Sequence, residues 1–581
     1  MPEMILPGVY IETRAEALIV PGRVTVGNVG VVGTASKGEI GEPTLLSNYS
    51  EARQQFGRYD SFYDDPDLKN PRANSLTLVR ALEQVFGSGA TTVFAVRIAG
   101  TTAAKAEMTL KKGPDECVTL AAKSEGAWAN DLQINVAALA TADAAPFIED
   151  EAVNPAAPKL SHLPVQSARN RITHKSSTSG VTTIFSGSKI VYTGAPAPGQ
   201  VKIVPAPDPP ADPLSDPASG SIVFPTGFTL VADDDLTASY VVHRAQGVKV
   251  TLRLGTVEEV YTVVSGDDLL ADINDVDTPS AWVVATAKTA SAQLPDKSAP
   301  PDAFASFSPG ENGESGADYS AGLEALLNED VQIVVAASKD DNFGGELHKH
   351  CQKASSDLIK RDRIALVGSG LKSGQTTDAF LDNLRGHNVA SDRVIFVAPG
   401  IKVIDTALTP PKVVTLPGTY AAAAVAGMLA SFSAHVSLTN KVLGVEGVEE
   451  KFNSAQLTQL VQNRVLALEE RKGFRIVKGI TTDEGAFTQI TTRRIVDYAK
   501  FGVRSAAQPY IGLLNNERVR GALRATINSF LTEMVEDEML VSYELSVTAT
   551  RDEERKGIAK VTIVLRPTFS IDFIKVTMVL E

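Results

Sequence analysis

Residues able to do chemistry are few in this chain, and their spacing works against them. HKHC (348–351) places two histidines and a cysteine within four positions, the side-chain types that bind a transition metal. On a helix, residues two apart project about 200° from each other, so His348 and His350 do not share a face. The better reading is an amphipathic helix with Leu347 and Cys351 inward and both histidines toward solvent. VGTASKGE (32–39) has glycines five apart, like a phosphate-binding loop, but Glu39 stands where the Lys-Ser/Thr pair should follow the second glycine. VGSGLKSGQT (367–376) matches a nucleotide loop only approximately, and a tight turn after a strand explains both stretches. DDD (233–235) and the pair Asp267 and Asp268 read as solvated turns rather than calcium ligands. Neither a Gly-x-Ser-x-Gly elbow nor a paired-cysteine motif occurs. No catalytic set, metal site or cofactor site is therefore expected, and no enzymatic activity.

Composition narrows the class further. The 581 residues are 43% hydrophobic and suffice for several folded domains. No run of eighteen apolar residues occurs, so no membrane insertion is expected. A basic segment followed by a hydrophobic core is missing at the start, so no secretion signal is expected. Two distant cysteines, Cys117 and Cys351, suit a reducing compartment. The net charge of -14 argues against direct nucleic-acid binding, which needs a basic face.

The elements that would carry any site divide the chain by texture. A buried strand (24–33), helical stretches at 47–57 and 75–90, and the strand TTVFAVRIAG (91–100) begin an α/β core. Alternating helices and strands resume at 320 and run to about 412. Between them, residues 103–319 show short alternating runs such as VKVTLRLG (248–255) and a proline-dense loop at 194–220, an inserted β-rich domain. Residues 413–569 mix helices with strands. The expected fold is thus an α/β core (24–102 and 320–412), an inserted β-rich domain (103–319) and an α+β C-terminal domain (413–569). Extended strand arms flank it at 1–23 and 570–581.

Those arms are strand-like where chain ends are usually polar and frayed. In the last domain, two alternating runs joined by TRDEERKG (550–557) predict a hairpin. Val541, Tyr543, Leu545 and Val547 alternate with polar partners, and Ile558, Lys560, Thr562 and Val564 alternate with Ala559, Val561, Ile563 and Leu565. Its receiving residues are Tyr543, Leu545, Val547, Val561, Ile563 and Leu565. A lone hairpin is marginal, and its open edges are templates for further strands. GVYIET (8–13) and FIKVTMVLE (573–581) are the candidates to fill them, by addition between subunits. The spacing also predicts a helix over 516–535, with Val519, Leu523, Ile527, Phe530, Leu531 and Met534 as its apolar stripe. Its polar face carries Arg518, Arg520 and Arg524, either a docking stripe for an acidic surface or a solvated face with Glu517 and Glu533 as local partners.

These features together resemble the contractile-tail sheath proteins of phages and related injection particles. The likeness rests on PGVYIET (7–13), VGVVGTASKGEIGEPTLLSNYSEARQQFG (29–57) and SDRVIFVAPG (391–400). It continues in GTYAAAAVAGMLASFSAHVSLTNKVL (418–443), ITTDEGAFTQITTRRIVDYAKFGVR (480–504) and the helix-plus-hairpin finish, all in the family's order. The resemblance implies a helical polymer of sheath subunits around a tail tube, with baseplate and tail-terminator proteins at its ends. It would be part of a virion and assembled in the host bacterial cytoplasm. It places Val9, Tyr10, Ile11 and Glu12, and Ile574, Val576, Met578 and Leu580, on hairpin strands of other subunits. Arg518, Arg520 and Arg524 would face acidic tube residues. One departure is SFSAHVSLTNKVL (431–443), where many members are more basic and aromatic. Two other classes stay open on the sequence: a nucleotide-binding α/β enzyme with an inserted β-domain, and another self-assembling virion component such as a capsid or baseplate protein.

Overall fold

The computed structural model describes residues 27–62, 74–139, 147–162, 165, 170–204, 220–241, 247–263 and 265–579. These fall into two compact units, one within Met1–Thr101 and Glu314–Glu581, the other within Thr102–Gly313. Where the chain leaves and re-enters the first unit, its two segments touch. A Cβ on Gly100 would lie 2.0 Å from the Ser315 carbonyl oxygen, so only glycine fits there.

The first unit is built on a mostly parallel sheet, nine strands among the described residues. In chain order they are β1 (Val29–Gly33), β2 (Pro43–Leu46), β3 (Val93–Arg97), β4 (Ile333–Ala336), β5 (Ile364–Gly368), β6 (Val394–Ala398), β7 (Val442–Leu443), β8 (Val465–Glu470) and β9 (Phe474–Ile476). Across the sheet they run β2-β3-β1-β4-β5-β6-β8-β9-β7. The six from β3 to β8 are parallel, while β2, β9 and β7 pair antiparallel at the margins. VGVVG, IVVA, IALVG and VIFVA are buried at every position, as strands covered on both faces must be. Alternate residues feed two cores. Val29, Val31, Ile333, Val335, Leu366 and Val397 pack with α1 (Thr77–Gly87) and α2 (Gly418–Ala430), and Val32, Val334, Ala365, Val367 and Phe396 pack on the opposite face. Helix α2 is buried all round because its small residues let neighbours close in: a Cβ on Gly427 would lie 2.1 Å from the Val85 carbonyl oxygen.

Two stretches that suggested chemistry, one a loop and one a helix, have structural roles instead. After β5, Lys372 Nζ sits 2.6 Å from Glu450 Oε2 and 3.1 Å from Thr377 Oγ1, so the lysine of the glycine-rich stretch is already engaged. The HKHC helix (Gly344–Ala354) does bury Leu347 and Cys351, but His350 is buried too, contrary to its expected exposure. Its Nε2 lies 3.1 Å from Arg363 Nη1, and burial with the Arg363 charge pushes its pKa down to about 3. His348 bonds to the Ser391 hydroxyl.

The second unit is mostly antiparallel, with one short parallel pair between Ile190–Val191 and Val201–Ile203. One four-stranded sheet orders Val257–Val263, Val248–Leu254, Leu132–Ala138 and Ala305–Ser306; another orders Phe147–Ala152, Asp235–Val241, Arg171–Lys175 and Thr182–Ser186. Each has its own apolar core. The acidic runs are solvated only in part: Asp233, Asp235 and Asp267 are exposed, but one aspartate of each run is buried. Asp234 is buried, accepting from His174 Nε2 at 2.8 Å and from the backbone N–H groups of Ser177 and Val231, bonds that hold its carboxyl well below the usual range. Asp268 is also buried, in the first turn of the helix Gly266–Ile273, 3.1 Å from His162 Nδ1. Asp272 Oδ1 is 3.6 Å from the same nitrogen, so these three form a histidine–carboxylate cluster within this unit.

Candidate functional site

A two-helix platform in the first unit supports the site. Helix α3 (Ile490–Ala507) is bound to the parallel sheet by a buried network of opposite charges. Arg393 at the start of β6 grips Asp497 in a fork, at 2.9 and 3.1 Å, and reaches Asp362 at 3.2 Å. Asp362 also receives Lys500 and, at 2.6 Å, Arg504, while Arg493 bridges Asp497 and Asp392. Burial alone would push Arg393 down, yet Asp497 and Asp362 hold it above the ordinary arginine range. Breaking one partner of such a buried network is costly, so helix and sheet are fixed together.

Helix α4 (Glu517–Glu536) lies across α3. Asn516 caps it, its side chain accepting from Val519 N–H at 2.9 Å. Leu523, Ile527, Phe530, Leu531 and Met534 are buried as the apolar stripe predicts. Contact is closest at Gly502, where a Cβ would lie 1.9 Å from Phe530 Cζ. Glycine there lets the far edge of the Phe530 ring approach the α3 backbone.

On this platform rests a sheet that has just two strands among the described residues, β10 (Leu540–Thr548) and β11 (Lys560–Pro567). Tyr543 faces Leu565, Leu545 faces Ile563 and Val547 faces Val561, and all six pack on the α3–α4 core. The Tyr543 hydroxyl fixes the sheet to α4 through Asn528 Oδ1 (2.9 Å) and Thr532 Oγ1 (2.8 Å). TRDEERKG is not a simple turn. It forms a short helix, Arg551–Arg555, with a capping box between Thr550 and Glu553. Beside β11, Val496, Ala499, Val503, Leu531, Ile563 and Leu565 line an apolar groove of about 290 Å3, with Lys500 and Arg504 at its rim. An open strand edge thus adjoins an uncovered apolar floor.

The segment after β11 has the composition to cover such a floor. From Phe573 to Val579 every residue is exposed and none lies in a strand. Ile574, Val576 and Met578 are 82%, 69% and 87% exposed, and they alternate with Lys575 and Thr577. Val9, Tyr10, Ile11, Glu12 and Leu580 lie outside the described residues.

The three arginines do not act alike. Arg518 and Arg524 are exposed on α4. Arg520 is half-buried, and its Nη1 donates to Glu554 Oε1 and Asn515 Oδ1, each at 3.0 Å. The Arg551 and Arg520 hydrogen bonds hold Glu554 below the usual carboxylate range. Arg520 therefore joins α4 to the hairpin's connecting helix, and neither of the local partners expected from sequence, Glu517 and Glu533, takes that role. Sequence reasoning singled out no residue of α3, although Arg493 and Asp497 stand at the i,i+4 spacing that favours an ion pair.

Comparison with known proteins follows from this geometry. Residues 312–482 match the phage tail sheath protein central domain, and residues 482–581 match the phage tail sheath C-terminal domain. The chain is 27% identical over 215 residues to the tail sheath protein of Staphylococcus phage Twort, a match covering 36% of this chain and 33% of that protein. It thus spans about a third of that relative's length. The fold is similar to the sheath tail protein of Desulfitobacterium hafniense, with a TM-score of 0.55 at 14% identity, over 97% of this chain and 100% of that one. The sheath tail protein of Listeria innocua gives 0.52 at 12%, over 94% and 96%.

Proposed function

This chain belongs to the phage tail sheath protein family, and from that premise we propose that it is the structural subunit of a contractile tail sheath. Subunits polymerise helically around a tail tube, in an extended state that later contracts and drives the tube through the target envelope. The work is mechanical and calls for no catalytic residue. Baseplate and tail-terminator proteins close the two ends of the polymer, which assembles in the host bacterial cytoplasm and becomes part of the virion.

The observation that carries this reading is the pairing of an unfilled site with a matching ligand in one chain. The two-stranded sheet, with its apolar groove, has room for an added strand, and residues 573–579 present alternating apolar side chains to solvent. Strand addition supplies backbone hydrogen bonds along the edge, while the groove selects the alternate side chains. Ile574, Val576, Met578 and Leu580 of one subunit would lie over the groove of another, with Val9, Tyr10, Ile11 and Glu12 of a further subunit on another edge. Such arms act as hinges that hold the lattice while contacts between bodies are exchanged. Arg518 and Arg524, the exposed pair on α4, are the residues offered to an acidic tube surface; exposed pairs of this kind contribute roughly 0–1 kcal/mol each, which suits a grip that must release.

The test compares full-length protein with a version lacking residues 573–581, at rising concentration, with and without tube, by negative-stain microscopy. Full-length protein should give hollow striated cylinders, and the shortened protein folded monomers with an unchanged circular dichroism spectrum. Cylinders of normal length from the shortened protein overturn the reading.

A further inference from the structure

The chain makes one more contact with its own subunit before it runs free. Thr568 N–H donates to the Met539 carbonyl at 3.0 Å, closing the hairpin, and Phe569 and Ile571 are then exposed. Asp572 turns the other way, with a side chain only 11% exposed. Its Oδ2 lies 3.3 Å from Lys478 Nζ and accepts from Gln489 Nε2 at 3.4 Å. Its Oδ1 accepts from Thr439 Oγ1 at 3.4 Å and from Ser570 Oγ at 3.3 Å. Thr439 is aimed at the carboxylate by its own neighbours, because its oxygen accepts from Gly479 N–H and Ser437 Oγ, both at 3.1 Å. Lys478 Nζ also stands 5.4 Å from the centre of the Phe573 ring. Beyond this point no described residue is buried.

We propose that Asp572 is a positioning residue: its carboxylate, held by Lys478, Gln489 and Thr439, fixes the place and register from which the chain passes to a second copy of itself. This rests on the strand-addition reading above. The physical reason is register. Side chains along a strand alternate, so a slip of one residue turns every apolar side chain away from the groove. Without the anchor the nearest fixed point is Thr568, and the four residues 569–572 add up to about 13 Å of reach. An anchor at Asp572 leaves Ile574 two residues on, already committed to one face. The cradle is made from the loop before β7 (Ser437, Thr439), from Lys478 after β9 and from the residue that opens α3. The segment's root is therefore tied to the rigid body and not to the hairpin.

Full-length Asp572→Ala, Lys478→Met and the double variant would be compared for thermal unfolding and for the concentration at which cylinders form. Asp572→Ala should keep the wild-type Tm and raise the threshold about tenfold, or about 1.4 kcal/mol. Lys478→Met should raise it less, and the double variant no further than Asp572→Ala, since both act through one contact. A wild-type threshold for Asp572→Ala overturns the proposal, as does a lowered Tm with no change in threshold, or effects of the two substitutions that simply add. The shortened protein lacking 573–581 separates the two ideas. If it fails to assemble while Asp572→Ala assembles normally, the anchor falls and strand addition stands; if it assembles, both fall.

Discussion

Replacing Val576 by asparagine, and in a second protein Thr577 by asparagine, tests the strand by its period. The two positions are adjacent, exposed in the isolated subunit and free of contacts that folding needs, so neither change should alter Tm. If residues 573–580 add to β11 with Ile574, Val576 and Met578 inward, Val576 moves from 69% exposed to buried on the groove floor. Burying a valine side chain contributes about 1.5–2 kcal/mol. An unpaired amide in its place adds a cost of about 1–3 kcal/mol. Together these weaken each junction by about 2.5–5 kcal/mol, roughly two to four powers of ten in the association constant. Thr577 would face solvent on the side of β11 that carries Thr562, Val564 and Arg566, where asparagine should shift the junction by no more than about 0.5 kcal/mol. Asparagine is preferred to aspartate because Lys500 and Arg504 rim the groove and would attract a carboxylate. Pelleting at graded concentrations, with microscopy of the pellets, reads the threshold for assembly. Equal thresholds for the two variants, or a larger loss at Thr577, would refute both the strand and its register.

Two further expectations concern the rigid body. Gly502→Ala should lower stability by about 1–2 kcal/mol in a thermal or urea melt, because the new methyl meets the Phe530 ring; stabilisation by about 1 kcal/mol, the ordinary gain of alanine over glycine in a helix, would show that the contact yields. Stability should also fall as pH drops from about 6.5 toward 3: the unfolded chain takes a proton on His350 that the folded chain, with this pKa pushed down to about 3, refuses, and above 6.5 the term is flat. His350→Gln keeps an acceptor for Arg363 and should flatten that acid slope; an unchanged slope would rule the residue out as its source.

How much of this was legible depended on the range of the contact. Period-two alternation found Tyr543, Leu545, Val547, Val561, Ile563 and Leu565, which share one face, because that face needs nothing beyond the local strand. The α4 stripe from Leu523 to Met534 followed from period 3.6 in the same way. Arg520 did not, because its partner Glu554 lies 34 residues on and comes into reach through the capped helix that joins β10 and β11. His350 and Asp234 were misjudged for a related reason. A polar residue reads as exposed in one dimension, and what makes burial tolerable is a partner such as Arg363 or His174, which only the fold supplies. The α3 network was missed as a unit because its members come from 362, 393 and 493–504, three segments that meet only when β5, β6 and α3 pack.

That network and the open sheet make opposite demands that one subunit has to satisfy. Asp362, Asp497, Arg393 and Arg493 are nearly dry, and opening such a cluster by removing one partner costs about 3–5 kcal/mol. Moving the parallel sheet against the α3–α4 platform would break several of these contacts together. Adding or peeling a strand at β11 breaks none of them, since that edge carries no partner among the described residues. A chain arranged this way yields first at its edges and last in its body. For the proposed sheath, whose subunits would change contacts without coming apart, that ordering matters more than the strength of any one contact. It also explains why the cradle of Asp572 is drawn from the stiff side of the divide. The C-terminal connection proposed between neighbours should start from a point that does not move.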